Sequence, residues 1–295
     1  MLQKAYEATS SSISPIRQNK VVQLDSFRKQ KTEKSTGFKK LLEFLSFRER
    51  LTDYLVFVPE KKVASLPKES ASIYEEVYVN TFDGEKLHGY FMPAKEKTDK
   101  VMIYLQGRDE NVSRWYLGPK NIQEHVPIDS LIVGYRGYGN SSGKPSCKGV
   151  ITDALSMYQY LIDRGYKPEN ISLYGRSLGG AVALELASKV KVRSVVVQSS
   201  FSSLKDIMRY SHPYLPSILV DNKIFNSNER IKEINAPILI CHGTSDDVVP
   251  VEQGCQLYNI ANEPKKLIIL PGAGHRHLKT FFNVEYFESL KALFL

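Results

Sequence analysis

The amino-acid pattern predicts an α/β fold: a mostly parallel central sheet flanked by helices, with a possible small cap and a basic N-terminal extension. Three observations carry this. Short apolar runs recur at 101–107 (VMIYLQG), 130–137 (SLIVGYRG), 171–175 (ISLYG), 192–200 (VRSVVVQSS), 237–243 (PILICHG) and 265–272 (KKLIILPG). They are continuous rather than alternating, as strands buried on both faces are. Helical stretches at 151–165 and 179–190 fall between them. With 295 residues, 42% hydrophobic and 24% charged, the chain is long enough for a large core and is not wholly disordered or fibrous.

Taken in order, residues 1–36 are rich in Ser, Lys and Gln and read as a basic tail without apolar periodicity. Over 1–50, eleven Lys and Arg oppose five Asp and Glu, so most of the net charge of +8 sits at the front. Such an arm suits an anionic surface, lipid or nucleic acid, and equally suits a solvated tail. No recognised fold or aromatic platform accompanies the charge, so nucleic acid is the least favoured partner. Residues 37–62 form an amphipathic helical segment and linker, with Leu41, Leu42, Phe44, Leu45, Phe47, Leu51, Tyr54 and Leu55 near helical spacing. Its apolar side can lie in a membrane interface, making 1–58 a candidate membrane contact, or pack on the main domain.

The main domain is expected over 63–295. It opens with an alternating strand, an Asp83-Gly84 turn signal and a second strand, LHGYFMP. Residues 201–235 break the strand–helix alternation and read as a possible cap, or as a surface loop with one short helix. No apolar run approaches the roughly 18 residues that span a bilayer. The opening MLQKAYEATSSSISP lacks the apolar core of a secretory signal. Cys147, Cys241 and Cys255 form neither a disulfide framework nor a metal-ligand spacing. A cytoplasmic home is expected, with peripheral membrane association through the arm as an option.

Ligands of such sheets sit beyond the carboxyl ends of the strands, so those positions are the ones to search for chemistry. After ISLY comes Gly175-Arg176-Ser177-Leu178-Gly179-Gly180, then AVALELASK. Gly-x-Ser-x-Gly between a strand and a helix is the setting of a nucleophile elbow, where small neighbours permit a tight turn. The following helix start offers free N–H groups and a partial positive charge. A serine hydroxyl needs a base. His275 follows the last apolar run in PGAGH, with His277 as fallback. His242 suits a supporting role, His88 an ordinary polar strand position, and His125 and His212 have no motif context. The histidine needs a carboxylate to fix its tautomer, and Asp246 or Asp247 follows the penultimate run. Either aspartate could instead cap the helix beginning near Val251. The order Ser177, Asp246, His275 is the order this arrangement uses. The oxyanion donors would be the backbone N–H groups of Leu178 and Arg108.

These residues resemble those of the α/β-hydrolases. More narrowly, the chain is similar over about residues 52–295 to α/β-hydrolase-domain proteins that include membrane-tethered depalmitoylases and lysophospholipid or monoacylglycerol lipases. The most specific stretch is Gly134-Tyr-Arg-Gly-Tyr-Gly-Asn-Ser-Ser-Gly-Lys-Pro-Ser146, followed by Thr152-Asp153-Ala154. The resemblance implies that Tyr-Arg-Gly holds a loop beneath the site, that His242–Pro250 favours Asp246, and that Gly-x-Gly-His favours His275. Departures are Gln106–Asn111 in place of His-Gly-Asn, which puts Arg108, Asp109 and Glu110 beside the acyl pocket, Arg276 in place of a small or polar residue, and Gly134 ahead of Tyr135 where the relatives carry Asp. Where many relatives carry an N-terminal membrane anchor, this chain has the basic arm and the amphipathic segment.

The implied chemistry is cleavage of a carboxylic ester or thioester through an acyl-enzyme, with no metal or organic cofactor. Peptidase or acyl-transfer chemistry on the same residues is the alternative, as is a non-catalytic membrane- or partner-binding protein on a hydrolase scaffold.

Overall fold

The structure is a computed structural model that describes residues 39–67, 73–221, 223–276 and 278–295. The chain divides into two units, Met1–Glu49 and Arg50–Leu295. In the first unit the described residues 39–49 are helical, and the helix runs on to residue 56 in the second. The expected tail at 1–36 lies outside the described residues.

The second unit therefore begins ahead of residue 63, and the reason is visible in its contacts. Val56 and Phe57 are buried in its core. Asp53 accepts the Cys147 N–H at 2.8 Å, and Val58 N–H donates to the Arg108 carbonyl at 3.1 Å. Residues 50–58 thus take the packing alternative, and the expectation of a membrane-binding 1–58 segment rests on the stretch ahead of Arg50.

Eight strands form one sheet: β1 (Glu75–Asn80), β2 (Lys86–Met92), β3 (Val101–Leu105), β4 (Asp129–Val133), β5 (Ile171–Arg176), β6 (Ser194–Gln198), β7 (Ile238–Gly243) and β8 (Lys265–Leu270). Their spatial order is β1-β2-β4-β3-β5-β6-β7-β8. β1 and β2 form the antiparallel hairpin that Asp83-Gly84 signals, with Gly84 at φ 92°. β2 also meets β4 antiparallel, and every pairing from β4 to β8 is parallel.

The helices are α1 (39–56), α2 (Val112–Trp115), α3 (Leu117–Gln123), α4 (Cys147–Asp163), α5 (Leu178–Ala187), α6 (Leu204–Ser211), α7 (Ser227–Arg230), α8 (Val251–Ile260) and α9 (Val284–Phe294). The expected helices at 151–165 and 179–190 are α4 and α5, each starting earlier. Ser146 sets the start of α4 by accepting the Gly149 N–H at 3.0 Å. The sequence reading did not anticipate α2, α3 or α9. The stretch 201–235 holds α6, α7 and two 3₁₀ turns.

Two apolar clusters cover the two faces of the sheet. Val101, Ile103 and Leu105 of β3 join the cluster that contains α4 and α5, while Met102 and Tyr104 join the one that contains α2 and α9. Ile238 and Ile240 of β7 divide from Leu239 and Cys241 in the same way. This is the two-residue period of a strand expressed in central strands that are buried on both faces. Each fully buried aliphatic side chain stabilises by about 1.5–3 kcal/mol. The result is a rigid floor whose carboxyl edge holds the loops after β3, β5, β6, β7 and β8.

Candidate active site

Ser177 stands between β5 and α5 at φ 53° and ψ −120°, a conformation that L-residues rarely adopt. The neighbouring strand imposes it. Ser177 N–H donates to the Gln198 carbonyl at 2.9 Å, and the Ser177 carbonyl accepts from Ser200 Oγ at 2.8 Å and Gly180 N–H at 2.9 Å. The flanking glycines permit the close approach. A Cβ on Gly179 would lie 2.0 Å from the Leu105 carbonyl oxygen, and one on Gly175 would lie 2.2 Å from the Gly179 carbonyl oxygen.

His275 follows β8, and its Nε2 lies 3.1 Å from Ser177 Oγ. Its Nδ1 lies 2.8 Å from Asp246 Oδ2. Burial opposes the charge on Asp246, but hydrogen bonds from His242 and His275 outweigh it and hold the carboxyl well below its ordinary range. An ionised carboxylate only accepts, so Nδ1 carries the proton and Nε2 is left to accept from the Ser177 hydroxyl.

Asp246 is fixed by its own loop: Oδ1 accepts Val248 N–H at 3.0 Å and Val249 N–H at 2.7 Å. His242 Nε2 donates to the Val249 carbonyl at 2.9 Å and lies 3.4 Å from Asp246 Oδ2. It is the loop support its position suggested. Of the two aspartates, Asp246, which the resemblance favours, is buried against His275, and Asp247 is exposed. Neither caps α8, whose N-cap is Pro250.

The other histidines stand elsewhere. His88 is buried in β2 with Nε2 2.7 Å from Glu76 Oε1. His125 stacks on Phe287, and His212 meets Ser211. His277 lies outside the described residues.

Leu178 is the first residue of α5. Arg108 lies on the loop after β3, where a Cβ on Gly107 would be 3.7 Å from Ser177 Cβ. The N–H groups of Leu178 and Arg108 have no protein acceptor among the described residues. The loop that carries Arg108 is held by two tyrosines. Tyr135 Oη donates to the Gln106 carbonyl at 3.2 Å, and Tyr138 Oη donates to the Arg108 carbonyl at 2.5 Å. Arg136 anchors that tyrosine segment through Asp153 and Asp83. This is the supporting role that the resemblance implied for Tyr-Arg-Gly.

Two neighbours of the site escape sequence reading. Arg176 donates from Nη2 to the His275 carbonyl at 2.7 Å, and its guanidinium lies 4.9 Å from the Trp115 ring centre. Trp115 Nε1 in turn donates to the Asp109 carbonyl at 2.7 Å. The only signal for Arg176 was its place ahead of Ser177. Trp115 gave none. Ser177 and His275 open on a cavity of about 520 Å³.

The prolyl oligopeptidase family profile matches residues 144–295, just over half the chain. The uncharacterised protein Rv2307c of Mycobacterium tuberculosis is 33% identical over 206 residues, 68% of this chain and 72% of that protein. Protein bem46 of Schizosaccharomyces pombe is 29% identical over 208 residues, 68% of this chain and 70% of that one. Among solved structures, the Pyrococcus furiosus esterase Pf2001 shares the fold with a TM-score of 0.66 and 23% identity, over 80% of this chain and 97% of that one. An α/β-hydrolase from Vibrio vulnificus does so with a TM-score of 0.63 and 21% identity, over 80% and 97%. The chain belongs to the prolyl oligopeptidase family, within the α/β-hydrolase superfamily.

Proposed function

We propose that this hydrolase cleaves carboxylic esters or thioesters through an acyl-enzyme on Ser177. His275 takes the hydroxyl proton as Ser177 Oγ attacks the acyl carbonyl, then returns it to the leaving group. Asp246 holds the imidazole in the required tautomer and stabilises its charged form. The backbone N–H groups of Leu178 and Arg108 receive the oxyanion. Water then attacks the acyl-enzyme with His275 as base.

One observation carries this reading: the continuous hydrogen-bonded line from Ser177 Oγ through His275 to Asp246, at 3.1 and 2.8 Å. The test is labelling with a fluorophosphonate, which reacts with an activated serine. Wild type is expected to label and Ser177→Ala is not. Unlabelled, folded wild-type protein would remove the reading.

A peptidase reading draws on the family's description, prolyl oligopeptidase. Acyl transfer uses the same acyl-enzyme with another acceptor. The esterase likeness supports ester cleavage, and product analysis with matched ester, thioester and amide substrates separates the three. We also propose that the basic stretch ahead of Arg50 contacts an anionic membrane surface, on the strength of its charge.

A further inference from the structure

Ser177 lines two unlike cavities. One cavity there is a narrow cleft of about 70 Å³, lined mainly by Val56, Leu178, Phe201, Leu204, Ile207 and Met208, with Arg108 and Ser211 also on its wall. The 520 Å³ cavity shares Glu110, Trp115, Arg176 and Arg276 with another cavity of about 270 Å³. The latter runs over Tyr104, Tyr174 and Gln198 to Arg114 and Lys279.

Together the 520 and 270 Å³ cavities form a cationic trough. Five basic side chains line it, Arg108, Arg114, Arg176, Arg276 and Lys279, against the carboxylates of Asp109 and Glu110. Arg114 reaches Glu60 only at 3.8 Å. Arg108, Arg176, Arg276 and Lys279 have no carboxylate within 4.0 Å among the described residues. Arg176 Nε is buried without an acceptor. General basicity does not account for this, because residues 51–295 carry 29 Lys and Arg against 27 Asp and Glu. Arg176 is half-buried, while Arg108, Arg114, Arg276 and Lys279 are exposed around it. Cations without carboxylate partners gathered in a concave site raise the local concentration of anions and reward one that binds.

We infer that the substrate is an ester with one short apolar arm and one anionic arm, the anion being a carboxylate or a phosphate held by Arg176, Arg276 and Lys279. The inference rests on the hydrolase reading above, deepens it by naming the substrate class, and fails separately from it.

Two substrate pairs locate the charge. Mono-p-nitrophenyl glutarate against p-nitrophenyl butyrate tests a carboxylate on the acyl arm. The butyryl ester of glycerol phosphate against monobutyrin tests a phosphate on the alcohol arm. In one pair, kcat/KM for the anionic member is expected to exceed that of the neutral member by about tenfold or more at low salt. That ratio should fall at least about fivefold in Arg276→Gln/Lys279→Gln, and shrink towards one near 0.5 M salt as screening grows.

A binding readout stands apart from turnover. Trp115 is the chain's single tryptophan and lines both cavities. In the Ser177→Ala protein its emission is expected to change saturably with monomethyl glutarate or glycerol 3-phosphate, and not with dimethyl glutarate. Equal rates within both pairs in a protein that labels at Ser177 would overturn the inference. So would a Trp115 response as large with dimethyl glutarate as with the anions, or none with any of the three. A selective Trp115 response in wild-type protein that does not label would instead overturn the hydrolase reading and keep the anion site.

Discussion

Ser177 holds a positive φ because three hydrogen bonds from β6, the following loop and α5 over-determine its backbone. The strain turns Oγ towards His275 rather than into the sheet. In the proposed mechanism, Ser177→Ala is expected to lower kcat on the order of 10⁶-fold while leaving the fold intact, as ester hydrolysis and circular dichroism would show. Asp246→Asn presents an amide where His275 Nδ1–H needs an acceptor, so the wrong tautomer is favoured. The expected loss is about 10⁴-fold in kcat. The same residue carries a pH dependence. Its folded-state carboxyl lies well below the unfolded value of 3.8, so its contribution to stability is present above about pH 4 and is lost as pH falls through the folded-state value. Urea unfolding of wild type and Asp246→Asn is therefore expected to show a stability gap that narrows from pH 5 towards pH 2.

At the scale of elements, the site depends on how closely β5, α5 and the loop after β3 approach one another. Gly179→Ala would drive a methyl group into the Leu105 carbonyl, 2.0 Å away, where both partners are backbone-bound and neither can yield cheaply. Destabilisation of about 3 kcal/mol or more is expected in urea unfolding. The hairpin β1–β2 is tied to α4 by Arg136, which spans half-exposed Asp83 and fully buried Asp153. Arg136→Met leaves the Asp153 carboxylate buried without its partner and is expected to cost about 3–5 kcal/mol. Asp83→Asn should cost less than about 1 kcal/mol, because solvent screens that half of the pair. Hydrogen bonds from Arg136 and Thr81 hold the Asp83 carboxyl at about 2. Its contribution is thus present above about pH 4 and lost as pH falls through about 2. Tyr138→Phe frees the Arg108 carbonyl from one of its two donors. A cost of about 1 kcal/mol is expected, with a lower kcat if Arg108 N–H serves as an oxyanion donor.

For the whole molecule, the division at Arg50 separates a near-neutral unit that holds the site from a basic stretch ahead of it. No helix among the described residues is long and apolar enough to cross a membrane. If the arm binds anionic lipid, deletion of residues 1–49 should abolish flotation with phosphatidylserine vesicles while fluorophosphonate labelling of Ser177 persists. Flotation unchanged by the deletion, or already absent in the full chain, would end that proposal.

All eight strands were legible because each is a short apolar run or an alternating one bounded by Gly, Pro or polar residues, a signal local to a handful of neighbours. The Ser177 turn was legible for the same reason: glycine spacing reports how close the backbone must pass. Helices α2 and α3 were not, since they are short, break at Tyr116 and carry Gly118-Pro119 in the first turn of α3, and contact with the sheet rather than propensity holds them. By itself, then, the sequence determined the strand order along the chain and which loops could bear a hydroxyl, an imidazole and a carboxylate. Only the tertiary structure decided that Asp246 Oδ2 lies 2.8 Å from His275 Nδ1, that Arg176 grips the His275 carbonyl, and that cations from the loop after β3, from α2, from the end of β5 and from the segment after β8 line one trough. Those facts depend on residues far apart in number meeting across a folded sheet edge, and no local pattern encodes such a meeting.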